Sequence, residues 1–204
     1  MEVLAEMLSG EKRQRFYSLR NLADRQRLLA GDIIVRSVVA QKLHCTPEEI
    51  NFNCNSYGKP YLPDSNGIFF NLSHSGNYTV AVFSDKEVGI DIEEIKPLME
   101  RLEIARVFMS DREHSVFSTL PEEEKQSWFY HLWAAKESFI KNTGKGVFEG
   151  LQSITVDFSG KRIHVYKNNR LLPGLYIHEV RIDPQFAVYI CGYHAQVTCT
   201  LKII

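Results

Sequence analysis

The chain lacks the hallmarks of most cofactor and nucleophile chemistries. Its four cysteines, Cys45, Cys54, Cys191 and Cys199, include no Cys-x-x-Cys pair, and its seven histidines form no His-Glu-x-x-His, which argues against zinc and leaves reduced thiols as the expectation. There is no Gly-x-Ser-x-Gly elbow, which disfavours a serine hydrolase. Gly144-Lys145-Gly146 lacks the frame of a Walker A loop and reads instead as a helix end and a flexible rim. No apolar run approaches the roughly 20 residues that span a bilayer, and the acidic opening Met1-Glu2-Val3-Leu4-Ala5-Glu6 lacks the basic segment of a secretion signal, so a cytoplasmic location without membrane partners is expected. The formal charge is only −1 and no nucleic-acid-binding motif occurs, so nucleic acid is not an expected partner. With 204 residues and 44% hydrophobic content, the chain can bury one sizeable core or two small ones.

What the chain does have is carboxylates in a telling pattern. In Val88-Gly89-Ile90-Asp91-Ile92-Glu93 the apolar residues alternate with Gly89, Asp91 and Glu93, so on a strand both carboxylates share the face turned away from the core. Forty-four positions after Glu93 comes Glu137, in Trp133-Ala134-Ala135-Lys136-Glu137-Ser138-Phe139-Ile140-Lys141. Thr119-Leu120-Pro121-Glu122 offers a capping box and Gly144 a stop, which predicts a helix over 121–142. Phe129, Trp133, Glu137 and Lys141 recur at four-residue spacing, an aromatic stripe that ends in a carboxylate and an ammonium. Glu137 and Lys141 alone also fit a surface ion pair, contributing about 0.2–0.5 kcal/mol. Three carboxylates together are what Mg²⁺ takes, since it prefers oxygen ligands and commonly shares them with substrate phosphates.

Gly89-Ile90-Asp91-x-Glu93 followed by Trp133-x-x-Lys136-Glu137-Ser138-x-x-Lys141 resembles the two-part signature of the 4′-phosphopantetheinyl transferases, specifically the monomeric Sfp type. Further blocks fall in the family's order: Glu11-Lys12-Arg13, Gly31-Asp32-x-x-x-Arg36-Ser37, Tyr57-Gly58-Lys59-Pro60, Asn71-Leu72-Ser73-His74-Ser75-Gly76 and Gly144-Lys145-Gly146. The likeness covers about residues 9–150; the last fifty residues carry no signature, and Ala134 stands where the family more often has Ser, Thr or Cys. The resemblance implies transfer of phosphopantetheine from coenzyme A (CoA) to a serine of an apo peptidyl or acyl carrier protein, releasing 3′,5′-ADP. It also implies that Asp91, Glu93 and Glu137 hold Mg²⁺, with Asp91, Glu137 and Lys141 as the catalytic group. Glu137 is then the candidate general base and Lys141 the partner of the α-phosphate. Carriers of secondary metabolism are the usual clients of this type.

Residues 11–27 carry six basic side chains, Lys12, Arg13, Arg15, Arg20, Arg25 and Arg27, against Glu11 and Asp24, a local excess that attracts polyanions. The resemblance assigns CoA contacts to Lys12 and, more weakly, to Arg15 and Arg27. Lys59 follows a Tyr-Gly turn and precedes Pro60, so a rigid loop could aim it at a phosphate. Ser73 and His74, in a polar segment before the apolar strand Tyr78–Phe83, match the family's 3′-phosphate contacts.

The family fold is α+β: two similar subdomains, each a long helix on an antiparallel sheet, related by a pseudo-twofold axis with CoA between them. A junction at Ile95-Lys96-Pro97-Leu98 divides the chain into 1–97 and 98–204. Long helices are expected near 12–44, 101–117 and 121–142, with most strands in 66–93 and 151–203, including Ile154-x-Val156-x-Phe158 and Ile163-x-Val165. Carrier contact is expected near 101–120 and the Gly144–Gly150 rim. Two rivals share the same carboxylates: another Mg²⁺-dependent enzyme of phosphate esters or anhydrides, and a non-catalytic module that binds CoA or a carrier.

Overall fold

A computed structural model describes residues 1–6, 8, 10–63, 67–97, 105, 107–146 and 150–200. The fold is α+β. A short helix α1 (Glu2–Ala5) precedes α2 (Gly10–Ser18) and the 22-residue α3 (Leu22–Leu43). The single helix expected over 12–44 is therefore two. Asn21 breaks it, adopting extended backbone and accepting from the Ala23 N–H, so that α3 starts with its own cap.

Strands β1 (Asn53–Cys54) and β2 (Pro60–Tyr61) form a small ribbon, and β3 (Phe69–Ser75) pairs with β4 (Tyr78–Ser84) as a hairpin. Strand β5 (Val88–Glu94) lies in a different sheet. It pairs antiparallel with β10 (Phe186–Gly192), which also pairs with β9 (Tyr176–Glu179). Residues 88–94, counted with the first half in the sequence reading, thus make their ladder with the far end of the chain. A further three-stranded sheet is β6 (Ile154–Asp157), β7 (His164–Lys167) and β8 (Arg170–Leu171).

Within the helix expected over 101–117, residues 105, 107 and 108 are helical, 109 and 110 are not, and helix α4 (Asp111–Thr119) starts afresh where Ser110 and Glu113 form a reciprocal capping box that sets its first turn. Residues 101–104 and 106 of the expected 101–117 helix lie outside the described residues. Helix α5 (Glu122–Thr143) matches the expectation within a residue, although its N-cap is Pro121. Thr119 instead donates its hydroxyl to Val116 O within α4, so the expected capping box is not made.

The two faces of the β5–β10–β9 sheet explain the alternation read from sequence. Val88, Ile90 and Ile92 join Val188, Ile190 and Val82 in a core against the β3–β4 hairpin. On the opposite face Ala187, Tyr189 and Cys191 pack under α5 with Phe129, Tyr130, Leu132 and Phe139. Gly89 is on that second face, and α5 comes down directly on it. A Cβ there would stand 2.1 Å from Ser138 O and 2.3 Å from Asn142 N. Asn142 locks the contact, donating through Nδ2 to Glu87 O and Cys191 O.

A second lock sits on the other side of α5. Lys136 is fully buried, its ammonium 2.5 Å from Glu113 Oε2 and donating to Phe108 O and Leu151 O. Glu113 accepts in addition from the N–H groups of Ser110 and Val156, so one carboxylate ties α4, α5 and β6 together. Burial pushes the Lys136 ammonium below its ordinary value, with Glu113 opposing.

Two substitutions test these contacts. Gly89→Ala forces α5 off β5 and should cost about 1–3 kcal/mol or more, lowering Tm by several degrees in thermal unfolding. Lys136→Met strands the buried Glu113 charge and should cost about 3–5 kcal/mol by urea denaturation. Adding Glu113→Gln should recover part of that loss, since it removes the orphaned charge; simple additivity of the two changes would contradict the pairing.

Candidate active site

Asp91 lies on the α5-facing side of β5, two residues beyond the Gly89 contact, and the last turns of α5 close over it. Its Oδ1 is 2.6 Å from Lys141 Nζ and accepts from the Ser73 hydroxyl at 2.8 Å. Lys141 also donates to Ser73 Oγ at 2.9 Å, so β3, β5 and α5 meet in a closed triangle of polar atoms. Asp91 Oδ2 is buried and makes no hydrogen bond of normal geometry. A cleft of about 330 Å³ opens above this triangle, lined by Leu72, Ser73, His74, Asp91, Ile92, Glu93, Trp133, Glu137 and Lys141.

The aromatic end of the α5 stripe builds the wall of this cleft. Trp133 stacks on Phe129 and meets Phe108 edge-on, which fixes the turn of helix that carries Glu137 and Lys141. Burial first, and then the neighbouring Asp91 charge, push the Glu137 carboxyl above its ordinary range, with Lys141 opposing. Burial likewise raises Asp91, while Lys141 and Ser73 pull it back. Two buried carboxylates of raised proton affinity in one cleft form a site that favours positive charge.

The donor set fits a hard cation. Asp91, Glu93 and Glu137 offer only oxygens, and the bare Asp91 Oδ2, carried by a strand, could ligate such an ion. Among the described residues no three carboxylate, imidazole or thiolate groups yet close around one point. The positive charge nearest Asp91 is the Lys141 ammonium.

The other expected site residues are distributed unevenly. His74 is on the cleft rim, where desolvation and then the charges of Arg27 and Lys141 hold its imidazole below the usual 6.5. Arg27 reaches the same rim, donating to Gly76 O at 2.8 Å and pairing with Asp24. Ser73 is in the cleft, but its hydroxyl is engaged by Asp91 and Lys141. Lys12 is not in the cleft lining: its ammonium is 2.5 Å from Asp32, whose other oxygen holds Arg36 at 2.6 Å. Arg15 is exposed on α2. Lys59 is also outside the cleft, donating to Glu87 Oε2, Val88 O and Asn142 O, where it clasps the β1–β2 turn to the end of α5. Asn55 reinforces that clasp by donating to Gly144 O.

Much of the basic segment is therefore taken up inside the protein. Arg13 caps Glu6 O and Leu8 O, and Arg25 binds Leu19 O and Tyr17 O. Conversely, the sequence reading missed a seam. Strands β3 and β5 share no backbone ladder; alternate polar side chains of β3 reach across instead. Asn71 Oδ1 accepts from Ile90 N–H, Ser73 donates to Asp91, and Ser75 Oγ accepts from Glu94 N–H. The period-two spacing of Asn71, Ser73 and Ser75 was the available signal.

Comparison with known proteins identifies the family. A family model described as the 4′-phosphopantetheinyl transferase superfamily matches residues 87–191, and one for the N-terminal part of 4′-phosphopantetheinyl transferases matches residues 1–86. The 4′-phosphopantetheinyl transferase Sfp of Bacillus subtilis (strain 168) is 36% identical over 194 residues, covering 95% of this chain and 85% of its own. The transferase psf-1 of Bacillus pumilus is 40% identical over 159 residues, covering 78% and 67%. Among solved structures, the holo-[acyl-carrier-protein] synthase of Thermotoga maritima aligns over 52% of this chain and 61% of its own at 20% identity, with a TM-score of 0.41. With both halves matched by family models and a carboxylate-lined cleft between β5 and α5, the chain belongs to the 4′-phosphopantetheinyl transferase superfamily.

Proposed function

We propose that this transferase moves the 4′-phosphopantetheine group of CoA to a serine hydroxyl of an apo peptidyl or acyl carrier protein, dependent on Mg²⁺, with release of 3′,5′-ADP. The observation that carries the reading is the cleft in which Asp91, Glu93 and Glu137 stand with the Lys141 ammonium. Asp91, Glu93 and Glu137 would hold Mg²⁺, which when bound offsets the charge of the pyrophosphate.

The chain's own residues supply positioning, charge and a proton acceptor. The carrier serine oxygen attacks the β-phosphorus, and the bond from that phosphorus to the bridging oxygen breaks. The serine proton passes to Glu137, the cleft carboxylate one helical turn from Lys141. The electron pair of the broken bond leaves with 3′,5′-ADP, and Lys141, one helical turn beyond Glu137, meets the α-phosphate charge. At the rim His74 and Arg27 face the 3′-phosphate; the imidazole, held below 6.5 in the free protein, gains a reason to protonate when a dianion arrives. Lys12, Arg15 and Lys59 complete the CoA contacts in this reading, Lys12 and Lys59 by exchanging their present partners for phosphate.

The carrier is proposed to dock near residues 107–120 and the Gly144–Gly146 rim, the parts of the two expected stretches that fall within the described residues. Val107 and Val116 present exposed apolar side chains there. We also propose a monomer acting in the cytoplasm on carriers of secondary metabolism. No described helix is long and apolar enough to cross a membrane.

Intact-mass spectrometry of an apo carrier incubated with the protein, CoA and Mg²⁺ tests the reading. A gain equal to one phosphopantetheinyl group, abolished by EDTA, is expected. Asp91→Ala should slow transfer roughly a hundredfold or more while changing CoA affinity far less. Transfer that is indifferent to EDTA, or equal losses of turnover and CoA affinity, would contradict it.

A further inference from the structure

We propose that Lys141 is a tethered counter-ion for Asp91, held there by Ser73 as a positioning residue, and that metal and phosphate ligand displace it together and therefore bind cooperatively. The inference rests on the reading of Asp91, Glu93 and Glu137 as metal-holding residues, and it adds how that site is guarded.

The geometry is a triangle with one charged member free to move. Lys141 Nζ is 2.6 Å from Asp91 Oδ1 and 2.9 Å from Ser73 Oγ, and Ser73 is itself 2.8 Å from the same Oδ1. Asp91 is fixed by the β5 ladder to β10, and Ser73 by the β3–β4 hairpin. Lys141 is a four-carbon stem near the end of α5, its side chain 28% exposed towards the cleft. Of the three, the ammonium has by far the longest reach, since its stem rotates about four bonds while Ser73 and Asp91 stay close to their strands. Where it sits, it supplies the positive charge that Asp91 and Glu137 both call for.

A divalent cation approaching Asp91 meets that ammonium a few ångströms away, and in a partly buried cleft the repulsion between like charges is poorly screened. Metal alone is therefore opposed. A phosphate arriving one turn beyond Glu137 offers Lys141 a better partner, draws it off Asp91 and frees Oδ1 beside the already bare Oδ2. The other titratable groups of the cleft and its rim, among the described residues, include Glu93, Glu137, His74, Arg27 and its partner Asp24. None of them is hydrogen-bonded to Asp91 in place of Lys141. Because coupling between two ligands is reciprocal, metal must tighten phosphate binding by the same factor that phosphate tightens metal.

Mn²⁺ binding to the full chain, followed by electron paramagnetic resonance with and without CoA and referenced to Mn²⁺ and CoA without protein, tests this. Without CoA, Lys141→Met should bind Mn²⁺ roughly tenfold tighter than wild type, whereas Lys141→Arg, which keeps the charge, should not. CoA should tighten Mn²⁺ binding to wild type and lose that effect in Lys141→Met. In EDTA, Lys141→Met should melt below wild type, and Mn²⁺ alone should restore its Tm. Should Lys141→Met fail to fold, Ser73→Ala keeps every charge while loosening the ammonium, and should shift Mn²⁺ affinity in the same direction by a smaller factor. Equal Mn²⁺ affinities of wild type and Lys141→Met, or of wild type and Ser73→Ala where only that variant folds, overturn the counter-ion role and leave the transferase reading intact. Absence of Mn²⁺ binding to every variant, with and without CoA, overturns the metal reading and this inference with it.

Discussion

The site depends on the contact of one strand backbone with one helix backbone. At Gly89 there is no room for even a methyl group between β5 and the Ser138–Asn142 segment of α5. That closeness is what brings a strand carboxylate and a helix ammonium within hydrogen-bonding range, since Asp91 is two residues along the strand and Lys141 directly precedes Asn142. Had β5 carried a larger residue, the helix would stand off by the width of a side chain, and Lys141 would not reach Asp91. Lys59, Asn55 and Asn142 then staple the end of α5 to β5 and the β1–β2 turn, so the approach is held from several directions.

Two lysines on the same helix show how position decides the work of a charge. Lys136 points into the core, where its ammonium is matched by Glu113 and two carbonyls, leaving nothing to offer a ligand. Buried pairs of this kind add little net stability but are costly to break singly, so they enforce one arrangement of α4, α5 and β6. Lys141, five residues later, faces the cleft and holds a carboxylate that has a spare oxygen. The first lysine orients the helix and the second acts at its end. The proposed transfer draws on both, because positioning and preorganised charge are the main contributions a protein makes to such a reaction.

The cleft was legible because it obeys simple periodicities. The two-residue alternation of Val88–Glu93 set the carboxylate face, and the four-residue stripe from Phe129 to Lys141 set the helix face. What the sequence could not display was partnership. Lys12 and Lys59 have the composition of phosphate ligands, yet Asp32 and Glu87 hold them through contacts between residues 20 and 28 positions apart. Ser73 matches a phosphate contact of the family by sequence, and in the structure its hydroxyl also links two sheets. Caps also redrew the helices: Asn21 divides the helix expected over 12–44, Ser110 and Glu113 set the start of α4, and Thr119 turns its hydroxyl back to Val116 O instead of capping α5. The pairing of β5 with β10, nearly a hundred residues away in the chain, has no local signature at all.

The most direct test of the account is an anomalous-diffraction map from crystals grown with Mn²⁺ and CoA. The account predicts one strong peak bounded by carboxylate oxygens of Asp91, Glu93 and Glu137, with Lys141 turned from Asp91 towards a phosphate. A peak elsewhere, or a CoA pyrophosphate bound away from this cleft with Lys141 still on Asp91, would contradict it.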